Sequence, residues 1–422
     1  MYTKTKLKNG LRIITVPQKE AKTATVLVLV KTGSKYEDRE ISGISHFLEH
    51  MLFKGTEKRK EPKDVAEVLD KVGGVYNAFT GEDCTGYWAK VDESHFDTAL
   101  DWVSDIFLNS RIPAKEVEKE RGVIIEEINM YYDNPMMHID QVWKEVMYGD
   151  QPAGWFEAGN KETVSKMSRK QILDYIGSQY ASESVVICVA GKIKEKEAIG
   201  KIKKRFGKIK KGKGKDKPKV YEDQIGPRAK VLFKKVGQSN LVLGVRGYDS
   251  FHKDRYVMSV ISALLGGMMS SRMFIEIREK MGAAYYVRTH NISNTDTGYL
   301  ATSAGVDNNK IMEVIKAILK EYKKLCQTKV PEKELKKVKD YLKGTLVLGL
   351  ESSHAQAEFF GFQELLENRI ETIEHVMKMI DKVKAGDIMR VAKDIFREDR
   401  LNLAVIGPFK EDKEFKRILK FK

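Results

Sequence analysis

The stretch Ser184-Val185-Val186-Ile187-Cys188-Val189-Ala190-Gly191 is an unbroken apolar run closed by glycine, and Leu401-Asn402-Leu403-Ala404-Val405-Ile406-Gly407 repeats the pattern. A short run of β-branched and small apolar residues bounded by a turn residue reads as a strand buried on both faces. Each run follows a helical pattern and a polar turn. Working outward from the two runs gives one plan, written twice.

In the first half, Lys6-Leu7-Lys8 and Leu11-Arg12-Ile13-Ile14-Thr15-Val16 flank Asn9-Gly10, the strongest short hairpin signal. Further strands are expected at 24–32, 75–80 and 85–91. Helices are expected near 41–54, 63–72, 94–109, 113–132, 137–148 and 168–180, the fourth opening at Pro113. The second half repeats this with strands near 229–246, 284–292 and 297–306. Its helices are expected near 253–266, 270–281, 308–325, 331–349, 354–367 and 386–396. The matching order predicts an α+β fold of two homologous domains from a tandem duplication, each a mostly antiparallel sheet packed with helices. The boundaries read as 1–206, a Lys/Gly-rich linker 207–227 ending in Gly226-Pro227, and 228–422.

A chain of 422 residues, 42% hydrophobic and 32% charged, is long enough for more than one core and is not of disordered composition. Three cysteines, Cys84, Cys188 and Cys326, far apart in sequence, argue against a disulfide framework or a Cys-based metal site. Residues 192–219 hold fourteen Lys/Arg and three Asp/Glu, so they carry +11 of the net +15 and leave +4 for the other 394 residues. The basicity belongs to one solvated segment, and no specific nucleic-acid partner is expected. Ala24–Val30, the longest apolar run near the start, falls far short of the ~20 residues of a membrane span. The first residues lead straight into strand-like alternation with no apolar signal core, which reads as cytoplasmic.

The chemistry lies in His46-Phe47-Leu48-Glu49-His50. On a helix, positions i and i+4 share a face, so two imidazoles so spaced can bind one zinc ion. Glu49 shares that face and can take a proton from a water attacking a carbonyl. His-x-x-Glu-His is the inverted order of the commoner His-Glu-x-x-His zinc motif. A catalytic zinc needs a third protein ligand. The helix from Pro113 offers Glu116, Glu118, Glu120, Glu126 and Glu127, and helical geometry alone does not choose between Glu126 and Glu127. His95, His138, His252, His290, His354 and His375 lack ligand-like spacing and read as structural or surface residues.

Three stretches together carry a family resemblance. Gly43-Ile44-Ser45-His46-Phe47-Leu48-Glu49-His50-Met51-Leu52-Phe53-Lys54-Gly55-Thr56 resembles the active-site helix of the pitrilysin/insulinase family of zinc metallopeptidases, in its mitochondrial-processing-peptidase-like branch. Gly73-Gly74-Val75-Tyr76-Asn77-Ala78-Phe79-Thr80 resembles the strand that follows. Glu120-Arg121-Gly122-Val123-Ile124-Ile125-Glu126-Glu127-Ile128 resembles the helix bearing the third ligand. The resemblance spans essentially the whole chain. It implies His46, His50 and Glu127 as ligands of one Zn2+ per chain, Glu120 as a carboxylate behind a ligating His, and Glu49 as general base. It also implies Asn77, Ala78 and Phe79 as a substrate-binding edge. The second half has Gly266-Gly267-Met268-Met269-Ser270-Ser271-Arg272 where the motif would fall, and resembles the non-metal half of these enzymes. There Arg278 and Tyr285 look like the pair that completes the site from a facing domain, Arg278 on a substrate carbonyl and Tyr285 on the oxyanion. Gln151 stands where relatives often carry His.

The expected activity is zinc-dependent endoproteolysis of short or unfolded polypeptides through a metal-activated water, in a homodimer without a membrane partner. The competing reading is a non-catalytic structural or binding subunit that retains the fold.

Overall fold

The computed structural model describes residues 2–421. The chain forms two compact units that are discontinuous in sequence. The first comprises residues up to Asn129, Trp155–Pro218 and Leu348–Ile370; the second comprises Met130–Gly154, Lys219–Val347 and the chain from Glu371 on. Among the described residues no helix is long and apolar enough to cross a membrane.

The first unit is built on a six-stranded sheet of β1 (Thr3–Lys6), β2 (Arg12–Pro17), β3 (Thr23–Val30), β4 (Val75–Thr80), β5 (Thr85–Asp92) and β6 (Val185–Gly191), ordered β1-β2-β6-β3-β5-β4. β2 runs parallel to β6 and every other pair is antiparallel. β3 and β6 are buried along nearly their whole length, as strands covered on both faces must be. The helix Phe96–Asn109 packs on β3 and β5. The helix Ser353–Phe362 lies against β3 and β6, closing a core of Leu27, Leu29, Val186 and Cys188 with Ala357 and Phe360.

The second unit has a five-stranded sheet of β7 (Arg228–Phe233), β8 (Gln238–Arg246), β9 (Ala284–Ser293), β10 (Gly298–Asp307) and β11 (Leu401–Gly407), ordered β7-β11-β8-β10-β9. β7 is parallel to β11 and the rest are antiparallel. Without β1, the first sheet matches the second strand for strand in order and direction. This is the architecture that the repeated apolar runs announce: two α+β units of one topology.

Two segments depart from contiguous halves at 206 and 228. The helix Pro135–Tyr148, from the first half of the sequence, buries Val142, Trp143 and Val146 against Val242, Ala301, Ala404 and Ile406 of the second sheet. The helix Ser353–Phe362, from the second half, covers the first sheet. Each sheet therefore takes one covering helix from the other half of the chain. The 207–227 segment has no regular structure but divides between the units at Pro218 and Lys219. Four helices among the described residues escaped the sequence pattern, Lys161–Lys166, Glu195–Phe206, Ile373–Lys382 and Lys413–Ile418, and the expected helix at 270–281 is regular only as a π-helical turn, Phe274–Lys280.

Candidate metal centre

The His-x-x-Glu-His segment forms a short helix, Ile44–Met51, whose Ile44, Phe47, Leu48 and Met51 are fully buried. The helix starts at Gly43, which sits at φ +93°, and a Cβ there would lie 2.6 Å from the Ala158 carbonyl oxygen. Both facts require glycine. Its first turn is held by Glu37. The Glu37 carboxylate oxygens accept hydrogen bonds from the backbone N–H of Gly43 at 2.7 Å and of Ser45 at 2.9 Å. The Ser45 hydroxyl meets Tyr175 at 2.8 Å, and Tyr175 meets Thr32 at 2.7 Å, all in the interior.

Burial pushes the Glu37 carboxyl up to about 8, against the pull of those N–H groups and with a further push from Glu157. In the unfolded chain the group releases its proton near the usual carboxylate value. Between the two values the folded protein keeps a proton that the unfolded chain has lost, so stability falls as pH rises through this window and levels off above it. In metal-free protein, Glu37→Gln is expected to flatten the dependence of the denaturation midpoint on pH between about 5 and 8. An unchanged slope in the variant would mean that Glu37 does not titrate there.

The apolar floor turns His46 and His50 the same way, with ring centroids 4.6 Å apart. The helix Ala114–Asp133 brings Glu127 to them. His46 Nε2 lies 3.6 Å and His50 Nε2 3.5 Å from Glu127 Oε2, and the three donor atoms fall within 4.8 Å of one another. Donors about 2.0–2.2 Å from a tetrahedral zinc lie roughly 3.3–3.5 Å from each other. The donor set and its spacing therefore fit a zinc ion. Glu126, one residue earlier, is exposed and bonded to Asn129, so of the two glutamates it is Glu127 that lies beside both imidazoles.

His50 Nδ1 is 3.0 Å from Glu120 Oε2, and Lys54 Nζ is 2.6 Å from the other oxygen of Glu120. With Nδ1–H directed at the Glu120 carboxylate, a His50 that gave up its other proton would present Nε2 to a metal. His46 Nδ1 is buried without a hydrogen-bond partner. Burial, and then the neighbouring His50, lower the pKa of His46 and keep it neutral, the form that ligates. Burial also opposes the charged form of His50, but hydrogen bonds with Glu120 and Glu127 outweigh it and raise His50 to about 9. The hydrogen bond with His50 holds Glu127 below its ordinary value. The pocket is arranged for a positive charge between these groups.

Glu49 points from the same helix to Thr80, whose hydroxyl donates to Glu49 Oε2 at 2.7 Å. Burial raises the Glu49 pKa, with the Thr80 bond opposing. Thr80 ends β4, which pairs only with β5 and leaves its other side as the sheet edge. Asn77, Ala78 and Phe79 lie on this edge strand. Phe79 fills space that Gly86 leaves opposite it, since a Cβ on Gly86 would lie 2.3 Å from the Phe79 ring.

In the second unit, Arg278 is exposed on the π-helical turn. Its guanidinium lies 4.8 Å from the Phe274 ring and 5.8 Å from that of Tyr285. The Tyr285 side of β9 is open to solvent, with the residue 77% exposed. Gln151 bridges Tyr148 and Tyr221: its amide donates to both carbonyls and its oxygen accepts from the Tyr221 N–H. Its role here is to tie down backbone. Glu37, Lys54 and Thr80 are site residues that the sequence did not assign a role. Lys54 and Thr80 sit inside the recognisable stretches, whereas nothing in the local pattern marks Glu37.

Two family profiles match the chain: the insulinase family (Peptidase family M16) over residues 12–154, and the Peptidase M16 inactive domain over 166–342. An uncharacterized zinc protease of Bacillus subtilis is 34% identical over 402 residues, covering 95% of this chain and 97% of that one. The chain belongs to the pitrilysin/insulinase family of peptidases, M16. Another M16 relative, an uncharacterized zinc protease of Rickettsia felis, is 34% identical over 405 residues, 96% of this chain and 97% of its own length. Among solved structures, a protease from Helicobacter pylori superposes with a TM-score of 0.90 at 28% identity, covering 97% of this chain and 99% of that one. The M16 assignment agrees with the potential metal-binding group found among the described residues of the first unit and with the lack of the His-x-x-Glu-His motif in the second half of the sequence.

Proposed function

We propose that this M16 chain is a zinc-dependent endopeptidase acting on short or unfolded polypeptides. One observation carries the reading: three zinc-type donors converge beside a half-buried glutamate that accepts a hydrogen bond from Thr80, at the end of the edge strand β4. His46, His50 and Glu127 hold the ion, and Glu120 orients His50. Bound zinc would polarise the scissile carbonyl and make water more acidic. Glu49, moved by burial toward neutral pH, takes the proton of the attacking water and delivers it to the leaving amine. Thr80 fixes the carboxylate that does this. The substrate backbone pairs with Asn77–Phe79 as an added strand, which selects extended chains over folded ones. We assign Arg278 and Tyr285 to a substrate carbonyl and the oxyanion on the family resemblance, and infer a homodimer as the working form. An active monomer in sedimentation velocity would remove the dimer.

The test is cleavage of a quenched fluorescent peptide of about twenty residues with a chelator, without it, and after zinc is restored, a length long enough to pair along one strand. Loss with chelator and recovery with zinc is the expected result. No cleavage by folded, zinc-loaded protein would favour a non-catalytic binding subunit.

A further inference from the structure

The basic segment 192–219 is not a loose linker in the first unit. Its first part is the helix Glu195–Phe206, which buries Ala198, Ile202 and Phe206. On the side facing the unit its cations are paired: Lys201 with Asp97 at 2.6 Å, Arg205 with Asp101 at 2.7 Å, and Lys192 with Glu93 at 2.7 Å. The chain then runs as an irregular strap fixed by its backbone. Asn9 donates to the carbonyls of Gly207 and Ile209. The backbone N–H groups of Ser182 and Glu183 donate to the carbonyls of Lys210 and Gly212, at 3.1 and 2.9 Å. Gly214 donates to the Ser184 hydroxyl at 2.8 Å, and Lys217 Nζ meets Asp83 Oδ1 at 2.5 Å.

These anchors lie along one end of the sheet. Val30 at the end of β3 is paired with Thr85 at the start of β5 and with Val185 at the start of β6. Thr80 at the end of β4 is paired with Thr85. The strap thus crosses from the β1–β2 turn, past the start of β6, to the β4–β5 turn. That is the end of the sheet where Thr80 holds Glu49. Lys203, Lys204, Lys208, Lys210, Lys211 and Lys215 are exposed, and among the described residues none has a carboxylate partner.

We propose that this strap is an approach surface for acidic polypeptide substrates of the site described above. The use of the surface rests on the peptidase reading, but its binding does not. A fixed row of unpaired cations on an otherwise nearly neutral chain directs its field at one rim, and such fields raise the capture of oppositely charged ligands by about ten-fold or more at low salt. A peptide paired along β4 continues past Thr80 to the rim that the strap crosses, where Lys215 lies nearest, and the lysines farther along the rim add to the field that its acidic flanking residues meet. Nucleic acid fits less well. The one aromatic residue in the segment, Phe206, is fully buried, so the strap offers no stacking platform. An anionic membrane fits less well too, since the strap exposes no large apolar side chain to insert.

The experiment uses two quenched peptides with one central segment, flanked by Glu in one and by Gln in the other. The expected result is a kcat/KM favouring the Glu peptide on the order of ten-fold at low salt, with the ratio falling toward one at high salt. Replacing the six exposed lysines by Gln should bring the ratio toward one at low salt. Equal kcat/KM for the two peptides in the natural protein, or a ratio that survives the six replacements, overturns the proposal. Fluorescence anisotropy with zinc-loaded Glu49→Gln protein separates this from the peptidase reading. If neither peptide is cut, that reading fails, and the strap stands or falls on tighter, salt-sensitive binding of the Glu peptide. A single-stranded oligonucleotide of matched charge that binds more tightly than the Glu peptide overturns the choice of partner.

Discussion

Glu49→Gln is expected to lower turnover by about a thousand-fold while zinc content stays at that of the natural protein, because a positioned general base contributes roughly 10²–10⁴ in rate. The substitution is nearly isosteric. The Gln carboxamide oxygen can still accept from the Thr80 hydroxyl, the bond that now spans 2.7 Å to Glu49. His46, His50 and Glu127 lie on other atoms and keep their spacing. What is lost is a group that can carry a proton from water to the leaving amine. The check is peptide cleavage alongside metal analysis of the same sample. Near-normal turnover in a zinc-loaded variant would remove Glu49 from the mechanism.

Glu127→Ala should abolish activity by a different route, through loss of the metal. Two imidazoles alone hold zinc weakly, and among the described residues the third donor is the only carboxylate grouped with both imidazoles. The fold should survive, since Glu127 is half-exposed and contributes nothing to the buried stripe of Val117, Ile124 and Ile128 on its helix. The expected outcome is a melting temperature that added zinc no longer raises. Glu126→Ala is the control: its carboxylate bonds to Asn129 and should be dispensable. Zinc binding retained by Glu127→Ala and lost by Glu126→Ala would reverse the assignment.

Much of this was legible in the sequence, because strand burial and helical spacing write themselves into residue order. The paired runs around Val185–Gly191 and Leu401–Gly407 gave two sheets of one topology, and i, i+4 spacing put His46 and His50 on one face. What was not legible depends on distance in space. An amphipathic helix such as Pro135–Tyr148 shows an apolar face but not which sheet will cover it, so the exchange of segments left no mark. The helix Glu195–Phe206 has its apolar residues at i, i+4 and i+8, but eight lysines and arginines among them and the flanking turns hid the period. Glu37 is an ordinary acid in a polar turn by sequence. Only the left-handed Gly43 and the helix start it grips bring it into the core.

The exchange of covering helices also has a consequence for biosynthesis. Synthesis runs from the N-terminus, and nascent domains usually fold as their sequence emerges. Here the first sheet is complete when β6 leaves the ribosome, but Ala357, Phe360 and Leu365, which close one of its faces, are still untranslated. For well over a hundred residues of elongation that face of Leu27, Leu29, Val186 and Cys188 stays open to water or to a chaperone. A fragment cut at the Gly226-Pro227 boundary would keep this sticky face permanently and should aggregate.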